Sequence, residues 1–279
     1  MKYLLILLTL LFSGSANADS TDKSVEYVLN HVFDDTNNEL RVADPGNDPE
    51  PPPEGGIESR IMPLGDSITK GTGESTLWSY RDHLQDLLGI GTYDFVGSYT
   101  DPDSNATYDV EHSGIGGNRT YAVEARVLAE LQSYMPAGTN NSNSKVLLHI
   151  GTNDIDTDCN GCSDSVLFGM VQNVIDTINI IDTHDSLIDV YVATVIPKWS
   201  TSSPTDWVRF NTRLVEQVAL LAKTNLYVVD MYDAFTDTGN CSPNQNACLK
   251  NDVGEVHPNN QGYQVMANYW YASIQANGG

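Results

Sequence analysis

The chain is poor in positive charge: 14 Lys and Arg stand against 37 Asp and Glu in 279 residues, a formal net charge of −23. Nucleic acid and anionic membrane repel such a surface, so neither is expected as a partner. Acidic surfaces also keep proteins soluble, which is reason enough for the excess. Beyond the N-terminus no stretch is apolar enough to span a bilayer, which argues against membrane insertion. No internal repeat is visible. Cysteine is scarce, with four residues.

What is present begins with an exported start. Met1-Lys2-Tyr3 leads into the apolar run Leu4 to Phe12, and small residues end at Ala16-Asn17-Ala18. A charged start, a short apolar core and an Ala-x-Ala site define a signal peptide over residues 1–18, cleaved after Ala18. The mature protein is then secreted or periplasmic, and its cysteines are expected to be paired. Spacing favours Cys159 with Cys162 and Cys241 with Cys248, although sequence alone permits three pairings. A redox Cys-x-x-Cys, or zinc at all four cysteines, are the less favoured readings.

Residues 19–58 hold one short amphipathic pattern (Val25, Val28, Leu29, Val32, Phe33), then a proline-rich acidic spacer from Asp44 to Gly56. Such a spacer cannot build a packed core and reads as a linker. From residue 59 to 279, apolar runs alternate with helical patterns, as in an α/β domain with a parallel sheet covered on both faces. Five strands are expected: Ile61 to Leu64, Tyr93 to Gly97, Lys145 to Ile150, Asp189 to Ile196 and Leu226 to Asp230. Helical stripes are Leu77, Tyr80, Leu84, Leu87 and Leu88; Leu167, Met170, Val171, Val174, Ile175 and Ile178; Leu214, Val218 and Leu221; and Tyr263, Met266, Ala267, Trp270 and Ile274.

Polar clusters follow the strands, where reactive groups collect in open α/β sheets. They are Gly65-Asp66-Ser67-Ile68-Thr69, Gly116-Gly117-Asn118-Arg119, Gly151-Thr152-Asn153-Asp154 and Val256-His257-Pro258-Asn259. Acyl transfer needs a nucleophile, a base and neutral donors for an oxyanion. Ser67, His257, and the Gly117 N–H with the Asn153 amide and the Ser67 N–H supply these in turn. Singly, each residue reads as a turn, cap or structural position; together and in this order they are specific.

In these residues the chain resembles the GDSL or SGNH hydrolase family, whose four named residues match Ser67, Gly117, Asn153 and His257. Ile61-Met-Pro-Leu-Gly-Asp-Ser-Ile-Thr, Trp78 with Arg81, Phe95-Val-Gly-Ser, His112-Ser-Gly and His149-Ile-Gly-Thr-Asn-Asp are similar to the third carbohydrate esterase family, which contains acetylxylan esterases. The resemblance implies a flavodoxin-like three-layer α/β/α sandwich around the five-stranded parallel sheet, no obligatory cofactor, and deacetylation of plant polysaccharide. A monomer is expected; the alternatives are a lipid or aryl esterase on the same scaffold and a carbohydrate-binding protein without turnover.

One position departs from that pattern. The triad acid usually stands three residues before the histidine, where this chain has Gly254. Asp252 is the favoured substitute, with Glu255 next and a backbone carbonyl third. In the loop expected from Pro197 to Trp207 after the fourth strand, Trp199 and Trp207 offer sugar-stacking faces or local packing in equal measure. The segment Asp101 to Asp109 alternates oxygen donors like a calcium loop, but Ala106 and His112 occupy the places that need glycine and glutamate, so no metal is expected.

Overall fold

Alternation of side chains along the strands is what builds this fold. The computed structural model describes residues 59–74, 76–100, 107–159, 161–198, 205–236 and 256–277. Its strands are β1 (Arg60–Gly65), β2 (Asp94–Phe95), β3 (Tyr99–Thr100), β4 (Glu111–Gly114), β5 (Lys145–His149), β6 (Asp189–Ala193) and β7 (Leu226–Val229). Its helices are α1 (Ser67–Lys70), α2 (Arg81–Leu88), α3 (Thr120–Tyr134), α4 (Thr152–Asp158), α5 (Asp164–His184), α6 (Thr205–Leu221), α7 (Met231–Thr236) and α8 (Asn260–Ala276).

Met62 and Leu64, Val146 and Leu148, and Val190 and Val192 point to one face of the sheet, where they meet α3, α5 and α6. Ile61, Leu147, Tyr191 and Ala193 point to the other, against α2, α7 and α8. Strands buried on both faces read as continuous apolar runs for this reason. The stripes on α5 and α8 are buried as expected. Each aliphatic side chain so covered contributes roughly 2 kcal/mol of transfer free energy.

Strand order is β3-β4-β1-β5-β6-β7, with β2 also paired to β1. The expected five-stranded parallel sheet is therefore present with a modification. Residues Arg60 and Ile61 pair with β2, whereas Leu64 and Gly65 pair with β4, both in parallel. Because β5 occupies the other side of β1 throughout, β2 and β4 share one sheet position in tandem. Between them in the chain, β3 pairs antiparallel with β4 at the edge. Seven strands thus fill five parallel positions and one antiparallel edge.

Two helical expectations change. Leu77 and Tyr80 precede α2 rather than belonging to it: Leu77 and Ser79 have positive φ (61° and 63°), and Tyr80 is the N-cap. Arg81 holds this bend by donating to the Leu77 carbonyl at 2.7 Å. Helix α3 adds an element beyond the expected stripes, burying Ala122, Val123, Val127 and Leu131. Among the described residues, no helix is long and apolar enough to cross a membrane.

Candidate active site

The sheet register brings the polar clusters together. Gly65 at the end of β1 lies opposite His149 of β5 and Gly114 of β4, so the segments that follow these strands leave the same carboxyl edge side by side. Close approach fixes Gly65 itself, since a Cβ there would run into the His149 carbonyl and the Thr69 hydroxyl. Asp66 then starts α1, its Oδ1 accepting the Ile68 N–H at 2.9 Å. This cap holds Ser67 on the first helical residue, whose N–H the helix does not use.

Ser67 Oγ lies 2.8 Å from His257 Nε2 across 190 residues of chain. His257 comes from the segment before α8, whose N-cap Asn259 accepts the Gly262 N–H at 2.9 Å. Ser67 is 8% exposed and His257 partly exposed, so the pair meets solvent chiefly through the histidine. An Nε2 that accepts the serine proton requires the ring proton on Nδ1. Asp252, Gly254 and Glu255, among which an orienting acid was expected, lie outside the described residues.

Ile115 to Asn118 form a tight turn, with Asn118 N–H donating to the Ile115 carbonyl at 3.1 Å and Ile115 N–H to the Gly65 carbonyl at 3.2 Å. Its third residue, Gly117, has φ of 79°, which a side chain would strain. A Cβ on Gly116 would stand 4.0 Å from the Ser67 Cβ, and one on Gly117 would meet nothing. The turn therefore borders Ser67 and leaves open space at Gly117. Asn153, in the first turn of α4, donates from Nδ2 to the Asn118 carbonyl at 2.8 Å. Its second amide hydrogen remains for another acceptor. Ser67, His257, Gly117 and Asn153 are thus gathered at one place, in an arrangement able to bind an oxyanion beside an activated hydroxyl.

Two acids within the sequence clusters carry structural roles that the sequence reading left unassigned. Asp66 is fully buried, and its Oδ2 has no hydrogen-bond partner. Burial pushes its carboxyl up to about 7, opposed by the Ile68 N–H and reinforced by the nearby Asp154 charge. Asp154 is 3% exposed. Burial raises it to about 6 against the pull of the Thr120 hydroxyl and N–H.

Beyond the site, α4 is braced by Arg119 on Asp158 at 2.7 Å, by Lys198 on Asp156, and by the Cys159–Cys162 disulfide. That bond establishes one of the two favoured pairings and removes both sulfurs from zinc ligation as thiolates. Cys241 and Cys248 lie outside the described residues, as does Trp199. Trp207 lies on α6, not in a loop, and is 2% exposed within the core cluster of Phe210 and Leu214. It is packing, and its ring has no face for a sugar. Residues 101–106 of the acidic loop also lie outside the described residues. Asp109 there is used structurally, accepting the Phe95 N–H at 2.8 Å. Burial and a hydrogen bond with Asp109 push neighbouring Glu111 up to about 8.

Known proteins give the family and share the fold. The GDSL-like lipase/acylhydrolase family model matches residues 64–265. The chain belongs to that family, and its class is that of the carboxylic ester hydrolases. A multidomain esterase from Ruminococcus flavefaciens is 25% identical over 238 residues, which cover 77% of this chain and 28% of that protein. The chain thus spans little more than a quarter of that relative. The solved family 3 carbohydrate esterase of Clostridium thermocellum is 25% identical, with a TM-score of 0.58 over 79% of this chain and 100% of that one. A family 3 carbohydrate esterase from Talaromyces cellulolyticus, 22% identical, shares the fold with a TM-score of 0.58 over 78% of this chain and 97% of that one.

Proposed function

We propose that this protein is a secreted serine esterase that removes acetyl groups from a polysaccharide such as acetylated xylan. The observation that carries the reading is the 2.8 Å contact between Ser67 Oγ and His257 Nε2, beside a turn and an amide suited to a developing oxyanion. His257 takes the Ser67 proton as Oγ attacks the ester carbonyl carbon. The carbonyl oxygen becomes an oxyanion held by the Ser67 and Gly117 N–H groups and the Asn153 amide. Collapse breaks the ester bond, and the sugar alkoxide leaves with the proton from imidazolium. Water, deprotonated by the same imidazole, then attacks the acetyl-enzyme; the bond to Ser67 Oγ breaks, Oγ takes the proton back from imidazolium, and acetate is released. Asp252 is the proposed partner of His257 Nδ1, fixing the tautomer and stabilising the imidazolium without accepting its proton.

The acetyl and carbohydrate preference is supported by the similarity to the Clostridium thermocellum family 3 carbohydrate esterase, and export by the N-terminal signal sequence. Acetate release from acetylated xylan and turnover of 4-nitrophenyl acetate and octanoate test the substrate together. The reading expects release from both acetyl substrates and much slower octanoate turnover. Preferred octanoate hydrolysis would reassign the protein as an esterase of longer acyl chains, and carbohydrate affinity without turnover would make it a binding protein.

A further inference from the structure

Resting on the esterase reading, we propose that Asp154 is a positioning residue: its carboxyl group, gripping Thr120 from the helix that carries Asn153, joins the Gly117–Asn118 turn and the Asn153 amide into one rigid oxyanion-binding unit. The need for such a grip follows from the start of α3. The N-cap of that 15-residue helix is Arg119, whose side chain makes no capping hydrogen bond. An arginine has no acceptor to offer the first free N–H groups. Asp154 supplies one from another helix. Its Oδ2 accepts the Thr120 N–H at 3.0 Å and its Oδ1 the Thr120 hydroxyl at 2.7 Å. A carboxylate at this helix start also complements the helix dipole. Thr120 Oγ1 in turn accepts from Asn173 Nδ2 at 3.0 Å, tying the junction to α5.

The two halves of the oxyanion site are therefore connected twice. Asn153 holds the Asn118 carbonyl, and Asp154, the next residue, holds Thr120, two residues beyond Asn118. One hydrogen bond alone leaves the turn free to pivot about it; the second removes that freedom. The orientation of the remaining Asn153 amide hydrogen depends on where the Asn118 carbonyl stands. That carbonyl is placed by the anchored start of α3. Loss of the Thr120 contacts should consequently affect stabilisation of the tetrahedral intermediate more than binding of the planar ester.

The test compares wild type, Ser67→Ala, Asp154→Asn, Thr120→Val and Thr120→Ser on 4-nitrophenyl acetate. Inhibition by a small boronic acid, whose tetrahedral serine adduct places an oxygen in the oxyanion site, is measured alongside. Asp154→Asn is expected to lower kcat on the order of a hundredfold, as misplacement of a reacting geometry does, with KM nearly unchanged and boronate inhibition weakened in parallel. Thr120→Val should lose part of this and Thr120→Ser should restore it. Should Asp154→Asn fail to fold, the threonine pair decides the matter alone. Turnover by wild type but not by Ser67→Ala, with wild-type kcat and boronate affinity in Thr120→Val and in folded Asp154→Asn, overturns the positioning role alone. Absence of turnover in wild type overturns the esterase reading and this inference with it.

Discussion

Asp66, directly before Ser67, makes stability depend on pH in a way that can be worked out from its surroundings. Its carboxyl is fully buried, bonded through Oδ1 to the Ile68 N–H and unpartnered at Oδ2. Burial, with the Asp154 charge nearby, lifts it from 3.8 to about 7. The folded state thus holds this proton more tightly than the unfolded chain. Stability conferred by the protonated form is fully present below the unfolded value, declines as pH rises from about 4, and is lost above about pH 7. At about 1.4 kcal/mol per unit, the difference of about three units amounts to roughly 4 kcal/mol. Asp66→Asn keeps an oxygen acceptor for Ile68 and removes the ionisation. The new amide adds a desolvation cost that does not vary with pH. Urea unfolding of both proteins across a pH series should show the variant gaining on wild type by several kcal/mol between about pH 4 and pH 8. A stability difference independent of pH would refute the assignment of this cost to Asp66.

On the proposed mechanism, Asn153→Ala removes the side-chain oxyanion donor and should lower kcat about 10²- to 10³-fold with little change in KM; steady-state kinetics on 4-nitrophenyl acetate check this. Glu130→Ala acts on stability instead. Glu130 accepts from Ser98 and Ser113 hydroxyls at 2.6 and 2.7 Å and pairs with Arg126 at 2.7 Å, where both side chains are largely buried. Its loss leaves the Arg126 charge without that partner and should cost about 3 kcal/mol in chemical unfolding. A change within experimental error would contradict that role.

The sheet was legible where apolar runs are continuous, as in Val146 to Leu148 and Val190 to Ala193. It was illegible at β4, because Glu111-His112-Ser113-Gly114 has no apolar run. That strand is fastened by polar contacts, with the Ser113 hydroxyl on Glu130 and its carbonyl accepting from Arg126 at 2.7 Å. Helix α3 did leave a signal in the four-residue spacing of Val123, Val127 and Leu131, diluted by the buried acid Glu130. Trp207 likewise belonged to a stripe continuing through Phe210, Leu214 and Val218, whose period marks it as core.

In the candidate site, the order of clusters along the chain singled out Ser67, Gly117, Asn153 and His257 as candidates; the β1–β4–β5 register brings the first three segments side by side, and the segment before α8 adds His257. The roles of Asp66, Asp154 and Thr120 were hidden for a physical reason. An acid in a loop motif looks the same in sequence whether solvated or buried, and only the packing of α1, α3 and α4 shows which acids face backbone N–H groups.

The central claim is that His257 activates Ser67 as a nucleophile. Labelling the protein with a fluorophosphonate, followed by mass analysis of the modified peptide, tests it most directly. Stoichiometric modification at Ser67 that is lost in Ser67→Ala and strongly slowed in His257→Ala is the predicted result. Absence of labelling at Ser67 in folded wild-type protein, or equal labelling in the folded histidine variant, would contradict it.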